Sequence, residues 1–532
     1  MGDVNVLATK SIKSLLWTYA WPAVISQLIA SVYNLVDRIF LGQQVGALAI
    51  AGLAITMPVM NVIHAFGSLV GTGACVRMSI VLGRKDYRWA EKILGNTMLL
   101  SFFFGFLFLS AGYLFMNPIL QLFGASSDTI SYARDYMYIV LPGMFFTTLT
   151  FSLSAIIRSV GYPMRAMWIL VGGALLNIML DALFIPVLHM GIKGAAWATT
   201  VSMFVSACFS VLHFVPREYL FWTRWVRVSD TSSRGEHRTI RNVRTPMGGG
   251  SMVNPVSFSS TASMQSSQMD EPAPKILFRK HAWAPKLYIF RNILAIGISP
   301  FSMNIAACLV VALLNMQLIR YGGDLAVGAN GVVNSASMLV MMLFLGVCQG
   351  MQPIAGYNYG AGLNNRLKEV YMLTVKVCLV LGLMGTLCAE LFPRAIIRCF
   401  TTDEALIQIA IPAMRYLMAC AFLIALQVTN SHFFHSIDYP WFAIVTSLSR
   451  QILFLIPAIF IIPQLLIRWF GEAYGLTGVW ASCTICDVLG TLLSVVLLLT
   501  QRKVFRPGYI APERKLPKER GPRCSSSVSD SN

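Results

Sequence analysis

Residues 158–163 read Arg-Ser-Val-Gly-Tyr-Pro, and the closing pair Tyr162-Pro163 recurs 277 positions later as Tyr439-Pro440. Other landmarks repeat at nearly the same spacing: Gly73 with Gly350, Gly83 with Gly360 and, at a shift of 278, Pro22 with Pro300. Repeated halves with a site near the middle of the membrane are typical of secondary transporters. The sequence therefore predicts two copies of one structural unit.

The composition is that of a membrane protein. Of the 532 residues, 56% are hydrophobic and only 12% are charged, with a mean hydropathy of +0.65. Soluble proteins carry roughly 25% charged residues, and a helix needs about 20 apolar residues to cross a bilayer. Twelve stretches qualify, near 15–42, 46–74, 93–115, 132–157, 166–188, 194–216, 287–319, 325–352, 370–392, 409–435, 441–463 and 475–499. We predict an all-α polytopic membrane protein with twelve transmembrane helices.

The twelve spans divide evenly between the repeats. Six spans per half is an even number, so both halves enter the membrane from the same side and form two parallel six-helix lobes. The stretch between them is rich in Ser, Met, Gln and Thr around 251–270, which is typical of a disordered linker. The predicted domains are an N-terminal lobe (1–216), a cytoplasmic linker (217–286), a C-terminal lobe (287–500) and a basic cytoplasmic tail (501–532).

The formal charge of +18 follows the topology. Lys and Arg concentrate in the loops and segments that lie on one side of the predicted spans, namely 77–92, 158–165, 217–291 and 502–523. This asymmetry is the positive-inside rule, and it predicts a multi-pass protein of the cell membrane with both termini in the cytoplasm. The excess charge therefore does not indicate a nucleic-acid partner.

Few acidic residues lie within the spans, and such residues are usually functional. They include Asp37, Asp181, Glu390 and Asp487. Asn177 precedes Asp181 by four residues, which places both on one face of a helix. Spans four and six begin at the depth at which spans one and five carry Asp37 and Asp181, and they contribute Tyr136 and Thr199. These residues and Asp37 are predicted to share the outer half of the N-terminal lobe.

This predicted set is rich in oxygen. It suits sodium bound by Asp37, Asn177, Asp181 and Thr199. It equally suits a shared proton, because two neighbouring carboxylates in a low dielectric cannot both ionise. The alternatives are structural: Asp37 at the interface beside a snorkelling Arg38, and Asp181 as a helix-end residue before Pro186.

The second repeat does not rebuild the set. Asp37 aligns with Asn315, Asn177 with Phe454, and Asp181 with Ala458. Asp487 lies in the middle of the last span, and the sequence offers no partner for it. We therefore predict a C-terminal lobe that copies the structure without the ion chemistry.

No other chemistry is predicted from motifs. His432 and His435 are spaced like metal ligands, yet no acid or Cys accompanies them on that face. A phosphate-cradling Gly-Lys-Ser/Thr loop and a His-Glu-x-x-His pair are both missing from the sequence. The chain is therefore predicted not to be an enzyme and to have no resident cofactor, with a proton or sodium as coupling ion.

Five segments together resemble the multidrug and toxic compound extrusion (MATE) family, in particular bacterial members of its DinF-like and related branches. They are 36–42 (Val-Asp-Arg-Ile-Phe-Leu-Gly), 158–163, 177–185 (Asn-Ile-Met-Leu-Asp-Ala-Leu-Phe-Ile), 350–354 (Gly-Met-Gln-Pro-Ile) and 357–360 (Tyr-Asn-Tyr-Gly). The resemblance covers both lobes, roughly 15–215 and 287–499. It implies a two-lobed antiporter that exports organic cations in exchange for protons or sodium by alternating access.

The resemblance also implies a cation site in the N-terminal lobe. The family's site residues match Asp37, Tyr136, Asn177, Asp181 and Thr199 here. Some branches of the family carry acids in helices seven and ten of the second lobe, and this chain has none there. The expected partners are small organic cations and membrane lipid, with the protein acting as a monomer and binding no nucleic acid. The alternative function is a flippase for lipid-linked or amphiphilic substrates, as in related superfamilies.

Overall fold

The computed structural model describes residues 6–44, 47–123, 129–216 and 276–509, and within these ranges the chain is helical with no strand. The first six long helices form the first lobe: α1 (Ile12–Gln44), α2 (Ala47–Gly83), α3 (Tyr87–Leu114), α4 (Ile130–Ser159), α5 (Pro163–Phe184) and α6 (Gly191–Leu212). Two short helices accompany them, Val6–Thr9 and Met116–Leu122.

The second lobe begins with one continuous helical run, Leu287–Gly360. Gly323 interrupts it with a left-handed φ of 66°, which glycine adopts without steric cost, and so divides it into α7 (287–322) and α8 (324–360). The remaining spans are α9 (Asn364–Leu391), α10 (Glu404–Met418 and Ala421–Ser436), α11 (Pro440–Leu448, the π-helical Ser449–Leu455, and Ile456–Phe470) and α12 (Gly475–Thr500). The short helices of this half are Pro393–Arg398, Lys280–Trp283, Glu472–Tyr474 and Arg502–Phe505.

The number of spans agrees with the prediction. Ten helices of the described chain are long and apolar enough to cross a membrane, and the two pieces of α10, bent by 46°, make an eleventh span. The division of Leu287–Gly360 at Gly323 adds the twelfth. The predicted all-α polytopic fold is confirmed.

The repeated Tyr-Pro pair marks the start of the same helix in each lobe. Pro163 begins α5 and Pro440 begins α11, a position where the missing N–H costs nothing. The residue before each Tyr adopts a positive φ, 96° at Gly161 and 61° at Asp438. The second lobe therefore places a carboxylate in a turn where the first lobe uses glycine.

The two lobes share a hydrophobic core at one end of the bundle only. We call this the basic end, because it carries the loops rich in Lys and Arg, and the described termini pack there through Leu7 and Val504. The shared core combines first-lobe residues such as Val81 with second-lobe residues such as Tyr357. Toward the other end each lobe has its own core, within 53–196 for the first and within 310–486 for the second. The lobes are thus joined at the basic end and separate at the far end.

Repeat-related glycines allow the close contact at the basic end. A Cβ on Gly83 would collide with the carbonyl of Tyr357, and a Cβ on Gly360 would collide with the carbonyl of Ile80. The pairs are reciprocal, since 80 and 83 map onto 357 and 360. Backbone therefore packs directly against backbone where α2 crosses α8, which only glycine permits.

A polar bridge joins the lobes beside these glycines. Arg77 on α2 forms an ion pair with Asp438, with 3.1 Å between Nη1 and Oδ2, and its Nη2 donates to Asn292 Oδ1 on α7 over 3.1 Å. Both side chains of the ion pair are only 12% exposed. This bridge has no repeat copy, because Asp438 aligns with Gly161 and Arg77 aligns with Ile354.

The end of the predicted linker packs on the first lobe. The buried Asn96 side chain on α3 accepts from the Lys286 N–H at 2.9 Å and donates to the Ala284 carbonyl at 3.2 Å. Glu91 adds an ion pair with Arg279. Residues 276–286 therefore lie against α3, while 217–275 and the tail from 510 onward lie outside the described residues.

Candidate functional site

The structure brings all five predicted site residues together inside the first lobe. Asp37 on α1, Tyr136 on α4, Asn177 and Asp181 on α5, and Thr199 on α6 are each less than 10% exposed. The side-chain amide of Asn177 donates to the Thr199 hydroxyl over 3.4 Å. The Tyr136 hydroxyl lies beside Thr199 and within electrostatic range of both carboxylates.

Helix periodicity explains part of this arrangement. Asn177 and Asp181 are one turn apart on α5, so both face the interior of the lobe. Asp37 approaches from α1, close enough for its charge to act on Asp181. The side chain of Arg38, which the interfacial alternative for Asp37 invoked, lies outside the described part of the chain. Asp181 does lie in the last turn of α5, as the helix-end alternative has it, but its side chain is fully buried inside the lobe.

Three buried acceptor atoms on α5 receive no hydrogen bond from the part of the chain that the structure describes. Within the described residues, the two carboxylate oxygens of Asp181 and the Oδ1 of Asn177 have no hydrogen-bond partner, although all three atoms are buried. An isolated buried carboxylate is strongly unfavourable in its ionised form unless a proton or a cation neutralises it. The site can therefore hold a proton, or a hard cation among the oxygens of Asp37, Asn177, Asp181 and Thr199.

A cavity of about 170 Å³ opens beside these residues. Asn177 and Thr199 form part of its wall. Gln27, Tyr33 and His64 also line it, and the sequence interpretation missed these three. Each of the three is a polar residue inside an apolar span, and that signal was available. Their shared orientation was not, because it depends on how α1 and α2 are rotated about their axes.

The second-lobe counterpart of the site is apolar. Phe454 and Ala458, which align with Asn177 and Asp181, pack with Cys483 and Cys486 in a hydrophobic cluster. Both cysteines are buried free thiols. The expected contrast between the lobes is thus present in the packing.

Asp487 has a partner that the sequence did not reveal. The Arg450 Nε donates to Asp487 Oδ1 at 2.6 Å, from the π-helical part of α11 to the middle of α12.

The two histidines also have identifiable partners. His432 is hydrogen-bonded to Gln352 at 2.9 Å and His435 to Ser299 at 3.3 Å, so both belong to buried polar networks. Across the described ranges, no group of three or more His, Cys, Asp or Glu residues is arranged to hold a metal ion.

Comparison with known proteins identifies relatives over nearly the whole chain. The multidrug export protein MepA of Staphylococcus aureus strain N315 is 22% identical over 484 residues, which are 91% of this chain and 93% of MepA. MepA of Staphylococcus haemolyticus strain JCSC1435 is 21% identical over the same length, covering 91% of this chain and 92% of its own.

Solved structures share the fold. The MATE multidrug transporter DinF-BH is 31% identical, with a TM-score of 0.75 and coverage of 93% of this chain and 97% of the other. An outward-facing MATE transporter of the MOP superfamily has a TM-score of 0.76 at 21% identity, covering 95% of this chain and 98% of the other. The MatE family profile matches residues 22–183 and 301–461, one match in each lobe. The chain belongs to the MatE family of membrane transporters.

Proposed function

We propose that this protein exports organic cations across the cell membrane in exchange for protons or sodium. The observation that carries the proposal is the fully buried Asp181, whose two carboxylate oxygens have no donor among the described residues and which feels the charge of Asp37. A pair of buried acids binds and releases a small cation readily, since neutralising one carboxylate relieves both desolvation and repulsion. The names of the relatives, multidrug export protein and multidrug transporter, support the substrate class.

The cavity lies where an organic cation and the coupling ion would compete for the same carboxylates. It shares Asn177 and Thr199 with the acidic site, so an organic cation in the cavity feels the charge of the carboxylates at short range. When a proton or sodium ion neutralises them, this attraction is lost and the substrate is released. Binding of the two cations is then mutually exclusive, as an antiporter requires.

The packing of the lobes supports an alternating-access cycle. The positive-inside rule assigns the basic end to the cytoplasm, so the shared core lies on the inner side and the separate cores lie on the outer side. This is an outward-facing arrangement. To face inward, the contact at Gly83 and Gly360 and the bridge from Arg77 to Asp438 must open.

The flippase alternative fits the charges less well. A phosphate-bearing substrate requires a cationic group that is available in the cleft. Arg450 is the mid-membrane arginine of the second lobe, and its guanidinium is bonded to Asp487. The first-lobe cavity offers an amide, hydroxyls and nearby carboxylates, which favour a cation.

We propose that the protein acts as a monomer surrounded by lipid.

The experiment is efflux by the purified protein in proteoliposomes loaded with a fluorescent cationic dye. Proton and sodium gradients are imposed separately, and the one that drives efflux identifies the coupling ion. Asp37→Asn and Asp181→Asn are each expected to lower gradient-driven efflux at least about tenfold, which corresponds to about 1.4 kcal/mol. The matched control is Asp324→Asn, an exposed acid at the start of α8, which should transport at the wild-type rate.

Two results would overturn the proposal. Gradient-driven efflux at the wild-type rate by folded Asp181→Asn would remove the acidic site from the coupling. Equal dye leakage from liposomes with and without protein, under either gradient, would refute the transport activity itself.

A further inference from the structure

The ion pair between Arg450 and Asp487 joins α11 to α12 in the second lobe. Asp487 is 2% exposed and lies in the middle of α12, and Arg450 reaches it from the π-helical segment of α11. The N–O distance of 2.6 Å is that of a strong charge-assisted hydrogen bond. The acidic site of the first lobe does not use this pair.

Repeat alignment locates the first-lobe equivalents. The Tyr-Pro pairs align α5 with α11 at a shift of 277, so Arg450 corresponds to Gly173. A second landmark, the Gly-x-x-Gly that begins both α6 (191–194) and α12 (475–478), aligns those helices at a shift of 284. By that shift, Asp487 corresponds to Met203.

The three-dimensional contacts support this alignment. In the first lobe, a Cβ on Gly173 would collide with the Ser206 hydroxyl. In the second lobe, a Cβ on Gly490, the equivalent of Ser206, would lie 3.0 Å from Arg450 Cβ. The same two helices thus cross at the same point in both lobes. The small residue is on α5 in the first lobe and on α12 in the second.

The equivalent positions line a cavity in one lobe and carry charges in the other. Gly173, Met203 and Ser206 all line the first-lobe cavity, as does Thr150 on α4. At a shift of 277, Thr150 corresponds to Gln427, whose amide packs against Gly490 beside Arg450. Arg450, Asp487 and Gln427 therefore occupy positions that line the open cavity in the first lobe.

We propose that Asp487 is a cation site of the second lobe and that the Arg450 guanidinium is its permanently tethered occupant. A lone ionised carboxylate at this depth would need a proton or a counterion, and the chain supplies a counterion covalently. The second lobe then exchanges no ion, and exchange is confined to the acidic site of the first lobe. The natural external ligand for the site, once Arg450 is truncated, is a small planar guanidinium. The tethered-cation site itself does not depend on the proposed export activity, whereas the confinement of exchange to the first lobe rests on it.

The test is chemical rescue in purified protein reconstituted in nanodiscs. Arg450→Ala removes the tethered cation and leaves space beside Asp487. We expect its Tm to fall by about 5 °C or more, because the change leaves an uncompensated buried charge. Ethylguanidinium at low millimolar concentration should restore most of this loss. Ethylurea, a neutral molecule of similar shape, and sodium at the same concentration should not.

The matched control is the double variant Arg450→Ala/Asp487→Ala, which removes both charges. Its Tm should lie above that of Arg450→Ala and should not respond to ethylguanidinium. Absence of rescue in folded Arg450→Ala, or equal rescue of the double variant, would overturn the proposal. Loss of dye efflux by the folded double variant would overturn the inactive role of the second lobe in exchange.

The proposal also stays testable if Arg450→Ala does not fold. The variant is then synthesised in a cell-free system directly into nanodiscs, with and without ethylguanidinium. Recovery of folded protein with ethylguanidinium and not with ethylurea supports the tethered-cation site. Failure of recovery while the double variant folds, or failure of the double variant itself, rejects it.

Discussion

The bridge between Arg77 and Asp438 is the most directly testable contact between the lobes, and the informative change is Asp438→Asn. Asparagine keeps the size of the side chain and tolerates the left-handed backbone at this position, where φ is 61°. The change therefore removes the charge of the acid while preserving the turn before α11.

The geometry sets the expected magnitude. At a separation of 3.1 Å the Coulomb attraction is at most about 5 kcal/mol in an effective dielectric of 20, before desolvation is subtracted. Fully exposed pairs contribute about 0–1 kcal/mol, and breaking a fully buried pair costs about 3–5 kcal/mol. With both side chains 12% exposed, we expect a loss of about 2 kcal/mol. That corresponds to an increase of about 30-fold in the population whose basic end is open.

Hydrogen–deuterium exchange in nanodiscs measures this opening without labels. The amides of 434–440 and 287–296, on either side of the bridge, should exchange about 30-fold faster in Asp438→Asn, provided that they exchange through opening of the basic end. Arg77→Met should give the same pattern. Arg77→Met also removes the hydrogen bond to Asn292, so its effect should be at least as large. The double variant should add little to Arg77→Met, because each single change already breaks the ion pair.

The control is Asp135→Asn, which breaks an exposed ion pair with Lys193 inside the first lobe. It should leave exchange in 434–440 and 287–296 unchanged. If exchange in these peptides stays within about twofold of wild type in folded Asp438→Asn, the bridge does not hold the lobes together. The reasoning from burial to a contribution of about 2 kcal/mol would then be refuted.

Three further predictions follow from the packing and the charges. Gly360→Ala should destabilise the protein by about 1–3 kcal/mol through a backbone clash. Gly331→Ala, with open space around its Cβ, should not destabilise it. Equal Tm values for the two variants would contradict this. Burial, and secondly the Arg165 guanidinium, lower the pKa of His213 to about 4. Protonation of His213 therefore favours the unfolded state, and stability should fall as the pH drops from about 6.5 toward 4. His213→Gln should reduce this pH dependence in thermal melts, and an unchanged profile would exclude His213 as its source. Asp181→Asn should raise the Tm at pH 8, since it removes a buried carboxylate that has no donor among the described residues. A lower Tm would show that the carboxylate stabilises the fold.

Much of the site could be predicted from the sequence for a specific physical reason. Acids are costly in hydrocarbon, so the few that persist in the spans indicate function. The four-residue spacing of Asn177 and Asp181 determines their common face. The convergence of Asp37 and Thr199 on that face was expected from depth alone, and the structure supplies the rotation of α1 and α6 that depth cannot specify.

The chain by itself determined the number of spans, the twofold repeat and the asymmetry of the acids, because a bilayer demands about 20 apolar residues per helix and tolerates few charges. Only the tertiary structure decided which residues meet across helices. Arg77 and Asp438 are 361 positions apart and have no repeat copies, so no periodicity pairs them. Arg450 and Asp487 meet between the π-helical segment of α11 and the middle of α12, and the sequence offered no partner for Asp487. Such contacts depend on helix rotation and crossing, which are set by the packing of all twelve helices together.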